Sequence, residues 1–259
     1  MSTWIFLRGL TRESRHWGGF PAEFHHEIPD AQVLAPDLPG NGTQNQRTSP
    51  LRIEEIAEDI RARLIEQGLP PPYYLLAMSL GAMAAISWTD RHPEEIHGCV
   101  LINTSLRPFS PVYRRLKPAN YPRLLKLALL GGGEQDWEST ILELTSRQNH
   151  PSTEILSHWT TYRREHPVHI RNALRQLWAA ARFRAPLAKP PAPILVLTSR
   201  EDALVDTSCS RQLALNWHTA FAEHPTAGHD IPLDDGPWVA RQVRLWLQAL
   251  PAQASRANR

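Results

Sequence analysis

Apolar positions along the chain gather into short continuous runs set between amphipathic stretches. Trp4–Leu7, Gln32–Leu38, Tyr73–Met78, Cys99–Ile102, Ile194–Thr198 and Thr219–Ala222 have the length and composition of strands. Between them, Ile53, Ile56, Ile60, Leu64 and Ile65 recur at helical spacing over Ile53–Gln67, and Gly68 supplies the stop. Phe20–Ile28, the small-residue stretch Gly81–Trp88, Thr207–Asn216 and Trp238–Leu250 also read as helices, the last closed by Pro251. Alternating strands and helices predict a mostly parallel sheet of about six strands, with helices on both faces and right-handed crossovers.

From Leu106 to about Arg184 this alternation stops. Arg123–Leu130, Glu138–Arg147, Thr153–Arg164 and Val168–Phe183 read as helices, separated by Gly131-Gly132-Gly133 and by the His150-Pro151 and His166-Pro167 steps. Pro190-Pro191 and Pro193 mark the return to the sheet. The expected organisation is an α/β core of residues 1–105 and 186–259 with an all-helical insertion at 106–185. Sheets of this kind bind ligands at the carboxyl ends of their strands, and the insertion is placed to roof that end. Trp137, Trp159, Trp178 and Phe183 are expected in its apolar interior. Ala252–Arg259 reads as a frayed tail.

Composition removes several function classes. At 42% apolar residues the chain is not a disordered one. No apolar run approaches the ~20 residues that span a bilayer, and the first residues lack a charged leader and a cleavage pattern, so no secretory signal is expected. Cys99 and Cys209 imply neither a disulfide framework nor a metal site, and a reducing cytoplasm is the expected compartment. The net charge of +2 gives no reason to expect nucleic acid as a partner, and no membrane partner is expected either. The charge is unevenly spread, however. Residues 1–105 hold 8 Lys and Arg against 13 Asp and Glu, residues 106–185 hold 13 against 6, and the remainder is balanced. A basic insertion can draw anionic ligands, or it can be an arginine-rich solvated surface.

The strongest local pattern is Leu75-Leu76-Ala77-Met78-Ser79-Leu80-Gly81-Ala82-Met83. An apolar strand runs through a tight turn into a small-residue helix, as in the G-x-S-x-G nucleophile elbow, with Ala77 in the place of the first glycine. Such a turn holds the serine in a strained conformation, so the residues two before and two after it are small. It also aims a helix N-terminus at the reacting carbonyl. A serine nucleophile needs a base, and the base an orienting carboxylate. Asp202 follows the strand Ile194–Thr198, and His229 follows Gly228 farther on, giving the chain order Ser79, Asp202, His229. Asp206 and Glu201 rival Asp202, and His224 rivals His229. Asp230, Asp234 and Asp235 read as turn or capping residues. His166-Pro167-Val168-His169 lacks a third ligand for a metal, and no glycine-rich phosphate or dinucleotide loop is present.

With Arg8-Gly9-Leu10 and Pro36-Asp37-Leu38-Pro39-Gly40-Asn41-Gly42 added, the ordered motifs resemble the α/β-hydrolase superfamily over nearly the whole chain, in its cap-containing serine esterase form. Arg8 stands where that family usually has histidine; it either holds its loop or faces a carboxylate in the pocket. The resemblance implies an α/β-hydrolase fold, Ser79 as nucleophile, His229 as base and Asp202 as acid. It also implies an oxyanion hole made by the backbone N–H groups of Leu10 and Leu80, and a helical cap at 106–185. It implies hydrolysis of a small carboxylic ester or thioester, with no cofactor and no metal. The layout is similar to pimeloyl-carrier-protein methyl ester esterases, which makes an anionic or carrier-protein-linked ester a substrate to consider. Carbon–carbon bond lyases of menaquinone synthesis share the fold and the residue set, and a non-catalytic binding protein on this fold is the reading from another class.

Overall fold

The computed structural model describes residues 1–130, 132–148 and 152–251, the side chains of 128–130 excepted. The breaks expected at Gly131 and His150-Pro151, and the tail expected over Ala252–Arg259, lie outside the described residues. In chain order the main elements are β1 (Ser2–Leu7), α1 (Phe20–Glu27), β2 (Ala31–Leu34), α2 (Ile53–Glu66), β3 (Tyr73–Met78), α3 (Leu80–Arg91) and β4 (Ile96–Ile102). The insertion follows with α4 (Val112–Arg115), α5 (Tyr121–Leu130), α6 (Glu134–Thr145), α7 (Thr153–Glu165) and α8 (Ile170–Arg182). The chain then completes β5 (Ile194–Ser199), α9 (Ser208–Trp217), β6 (Ala220–His224) and α10 (Ile231–Ala249).

The six strands form one all-parallel sheet in the order β2-β1-β3-β4-β5-β6. This is the α/β-hydrolase fold. Both faces are covered, which is why the strands read as continuous apolar runs rather than alternating ones. Ile5, Leu7, Leu75, Ala77, Cys99, Leu101 and Val196 pack with α2, α3 and α9 on one face. Trp4, Phe6, Leu76, Met78, Val100, Ile102 and Leu197 pack with α1 and α10 on the other. The chain leaves β1 for the edge strand β2 and then returns to form β3 on the other side of β1. The carboxyl ends of β1 and β3 therefore flank the point where the direction of winding reverses, the usual place for a ligand crevice.

Three differences from the sequence expectation have physical causes. β2 ends at Leu34 and not at Leu38, because Pro36 has no N–H to give to a ladder. α10 starts at Ile231, seven residues before the predicted helix, and bends at Asp235 (φ −151°, ψ 72°), just ahead of Pro237. The Asp235 carboxylate accepts the Trp238 N–H (3.0 Å) and restarts the helix beyond the bend. Trp178 is not in an apolar interior; it is 53% exposed, whereas Trp159 and Phe183 are buried as expected. α8 is turned so that Asn172 and Gln176 face inward and Trp178 faces out.

The helical insertion leaves and re-enters the core at one place. Arg107 and Arg184 form a short parallel bridge there, and the Ala185 N–H donates to the Arg107 carbonyl (2.8 Å). Among the described residues it contains no strand.

Candidate active site

Ser79 sits between β3 and α3 with φ 52° and ψ −116°, a left-handed conformation that few non-glycine residues adopt. Its own N–H is taken by the Ile102 carbonyl of β4 (3.0 Å), which anchors the turn to the sheet. Ala77, two residues earlier, lies opposite Leu7 of β1 and Leu101 of β4 and is fully buried. A methyl group therefore fits where the motif usually has glycine. Gly81, two residues later, admits no such exchange. A Cβ there would lie 2.4 Å from the Leu7 carbonyl oxygen and 2.5 Å from that of Arg8. Glycine lets the first turn of α3 abut the end of β1. The loop leaving β1 is then pressed onto the serine: a Cβ on Gly9 would be 3.3 Å from the Ser79 Cβ. Leu10 is next in that loop, and Leu80, directly after Ser79, is the first residue of α3. The Leu80 N–H belongs to the first turn, where no intrahelical acceptor exists.

Asp202 and His229 come together across the loops that follow β5 and β6. His229 Nδ1 donates to Asp202 Oδ2 at 2.7 Å, with both side chains buried. The other carboxylate oxygen of Asp202 accepts from the amides of Leu204 (2.8 Å) and Val205 (2.9 Å), so the carboxylate cannot rotate. Burial disfavours a charged His229, but the charge and hydrogen bond of Asp202, with a smaller push from Asp230, outweigh it. Together they raise the His229 pKa above the ordinary 6.5, with Arg8 opposing. Of the rivals, Asp206 is engaged by the Ser208 amide (2.9 Å) and Glu201 is exposed. His224 Nδ1 accepts from the amides of Thr226 and Ala227, and its Nε2 faces Asp235 (3.1 Å). His224 therefore shapes the turn that carries His229.

Sequence reasoning passed over Asn103. This residue follows β4, is buried, and has φ 44°. Its side-chain amide donates to the His229 carbonyl (2.7 Å), while its carbonyl accepts from Ser199 N (2.9 Å) and Thr198 Oγ1 (3.1 Å). Asn103 thus ties the ends of β4 and β5 to the histidine loop. Its visible signal was an asparagine straight after an apolar strand, a residue type that tolerates left-handed backbone. The Asp37 motif proves to be scaffolding as well: its carboxylate accepts from the amides of Ser14 (2.7 Å) and Thr43 (2.8 Å).

Arg8 takes the structural of its two possible roles. Its guanidinium makes a two-pronged bond to Asp230 (2.5 and 3.2 Å), with both residues buried, and lies 4.7 Å from the centre of the Trp17 ring. Asp230 is therefore more than the capping residue it was expected to be. The Arg8–Asp230 pair joins the loop carrying Leu10 to the loop carrying His229. The insertion grips the Asp202 loop and the His229 loop. Lys117 Nζ donates to the Asp202 carbonyl (2.6 Å) and Asn120 to that of Ala203 (2.8 Å). Asp230 N donates to the Thr145 carbonyl (2.8 Å), and Asp234 accepts from the amides of Gly228 (2.6 Å) and Arg147 (2.9 Å).

The two histidines of His166-Pro167-Val168-His169 go separate ways. His166 faces Glu13 (3.1 Å), while His169 accepts the Arg171 N–H (3.1 Å) to cap α8. Among the described residues, a grouping of metal-type ligands, His92 with Glu94 and Glu95, follows the far end of α3, and Arg61 and Trp88 already occupy Glu95.

A family model described as the alpha/beta hydrolase family matches residues 4–242. No curated protein sequence matches the chain. Among solved structures, the enol-lactonase from Burkholderia xenovorans LB400 is similar at TM-score 0.77 and 16% identity, covering 95% of this chain and 91% of that one. A hydrolase from Pseudomonas aeruginosa PA01 is similar at 0.76 and 17%, covering 96% and 90%. A thermophilic esterase from Thermogutta terrifontis is similar at 0.73 and 20%, also covering 96% and 90%.

Proposed function

The chain belongs to the alpha/beta hydrolase family, and from that premise we propose that it is a serine hydrolase cleaving a carboxylic ester through an acyl-enzyme. Ser79 attacks the ester carbonyl while His229 Nε2 takes its proton. Asp202 holds the ring in the tautomer that leaves Nε2 free to accept, and stabilises the imidazolium that forms. The Leu10 and Leu80 amides, the latter backed by the α3 dipole, receive the oxyanion. His229 returns the proton to the leaving alcohol, then activates a water that releases the acid and frees Ser79. Residues 106–185 serve as the cap, and its hold on the 202–204 and 228–230 loops couples its position to that of the acid and the base. The observation that carries this reading is the buried 2.7 Å bond between His229 Nδ1 and an Asp202 carboxylate already fixed by two amides.

The pH dependence tests it. His229 must be neutral to accept the serine proton, and its pKa lies above 6.5. For a short aryl ester, kcat/KM is expected to rise with pH through a midpoint above 6.5 and then level off, since this parameter reports groups of the free enzyme. An acid limb centred below 6.5, or a flat profile, contradicts the assignment of His229 as base.

A further inference from the structure

α8 is inside out. Its polar residues are buried: Gln176 is 0% exposed and Asn172 is 6% exposed. Its large apolar ones face solvent: Ile170 is 43% exposed, Leu174 56%, Leu177 45% and Trp178 53%, with Ala179 alone of its apolar residues fully buried. At 3.6 residues per turn these four positions form one continuous ridge. The inward face is locked by hydrogen bonds. Gln176 donates to Asn41 Oδ1 (2.7 Å) and Ser49 Oγ (3.0 Å), and accepts from the Thr11 amide (3.0 Å). Asn172 accepts from the Ser49 amide (3.0 Å) and donates to the Arg47 carbonyl (2.9 Å). Rotating the ridge inward would strip the Thr11 and Ser49 amides, the Arg47 carbonyl and the Asn41 side chain of these partners, so the ridge stays outside.

Charge says what meets it. Arg171 and Arg182 flank the ridge on one side and are exposed, Arg175 between them donates to the Ser49 carbonyl, and α8 carries no acidic residue. The Arg182 guanidinium lies 5.4 Å from the centre of the Trp178 ring. The Arg115 side chain donates to the Ala180 carbonyl (2.7 Å), which brings α4, with exposed Val112, Tyr113 and Arg114, against the end of α8. Residues 106–133 hold six Lys and Arg, residues 166–185 hold four Arg, and neither stretch holds Asp or Glu. A second copy meeting this helix symmetrically would set arginine against arginine. Tryptophan beside arginine is the composition of helices that lie in a bilayer interface.

We propose that α8 docks on an anionic lipid surface, with Ile170, Leu174, Leu177 and Trp178 in the headgroup–acyl boundary and Arg171 and Arg182 on the phosphates. The absence of a spanning helix among the described residues does not bear on this mode of binding. The inference is independent of the catalytic reading, and its test reads no activity.

The full chain is sedimented with phosphatidylglycerol vesicles and with phosphatidylcholine vesicles. It is expected to partition onto the anionic vesicles and not onto the zwitterionic ones, with Trp178→Phe removing a blue-shifted part of the emission. Leu174→Glu/Trp178→Glu is expected to lower partitioning about tenfold, because two groups that enter the boundary become charged. Arg171→Glu/Arg182→Glu is expected to weaken it similarly, as is salt near 1 M, where the Debye length falls to about 3 Å. These sites are exposed, so wild-type circular dichroism is expected in both variants. No binding to the anionic vesicles overturns the proposal. Binding untouched by Leu174→Glu/Trp178→Glu overturns it too. So does a concentration-dependent dimer in sizing experiments that this variant abolishes while vesicles go unbound, since the ridge would then meet a second copy.

Discussion

Asp202→Asn is expected to lower kcat on a short aryl ester by about 10⁴-fold while circular dichroism stays that of the wild type. The reason lies in how the carboxylate is held. One oxygen accepts from the Leu204 and Val205 amides, and the other faces His229 Nδ1. The asparagine carbonyl must stay on the two amides, because its NH₂ group cannot accept from them. That turns the NH₂ toward Nδ1, makes Nδ1 the acceptor and moves the ring proton to Nε2. An Nε2 that carries a proton cannot take the one from Ser79. Activity within tenfold of wild type would contradict this account of Asp202.

Arg8→Met is expected to destabilise the fold by about 3–5 kcal/mol, because it leaves the Asp230 carboxylate buried without its partner. The pair is 4% and 2% exposed, so solvent does little to soften the loss. For a chain of this size the thermal midpoint should fall by roughly 10 °C. Arg8→Met/Asp230→Leu removes both charges and is expected to recover most of that loss, since an apolar pair of similar volume is often as stable as a buried ion pair. If the double variant is as unstable as the sum of the two single variants, the ion pair is not the source of the stability. The double variant should still hydrolyse ester more slowly than wild type, because the Leu10 loop and the His229 loop have lost their cross-link.

The inner sheet was largely legible in the sequence because β1, β3, β4 and β5 are buried along nearly their whole length, so their apolar runs are almost unbroken, whereas the edge strands β2 and β6 are partly exposed. The elbow at Ser79, the acid loop and the Gly228-His229 pair were legible as local patterns in a fixed order. What stayed hidden depends on distant partners. Arg8 reads as a departure from a motif until Asp230, 222 positions later, is seen beside it. Asn103 reads as the end of a strand until its amide is found on the His229 carbonyl. The spacing of α8 announced a helix, but its inward side was set by polar groups at residues 11 and 39–49, not by the usual preference for burying leucine and tryptophan. That is why Trp178 was expected inside and lies outside. The start of α10 was masked by Pro232, Gly236 and Pro237, which break the local pattern around a real bend.

The central claim is that Ser79 is an activated nucleophile, and covalent capture tests it most directly. Folded protein is treated with a fluorophosphonate and the adduct is located by peptide mass spectrometry. The account predicts one adduct per chain, on Ser79, that is lost in Ser79→Ala and strongly slowed in Asp202→Asn. Folded wild-type protein that takes no label on Ser79, or takes it equally fast in Asp202→Asn, would contradict it.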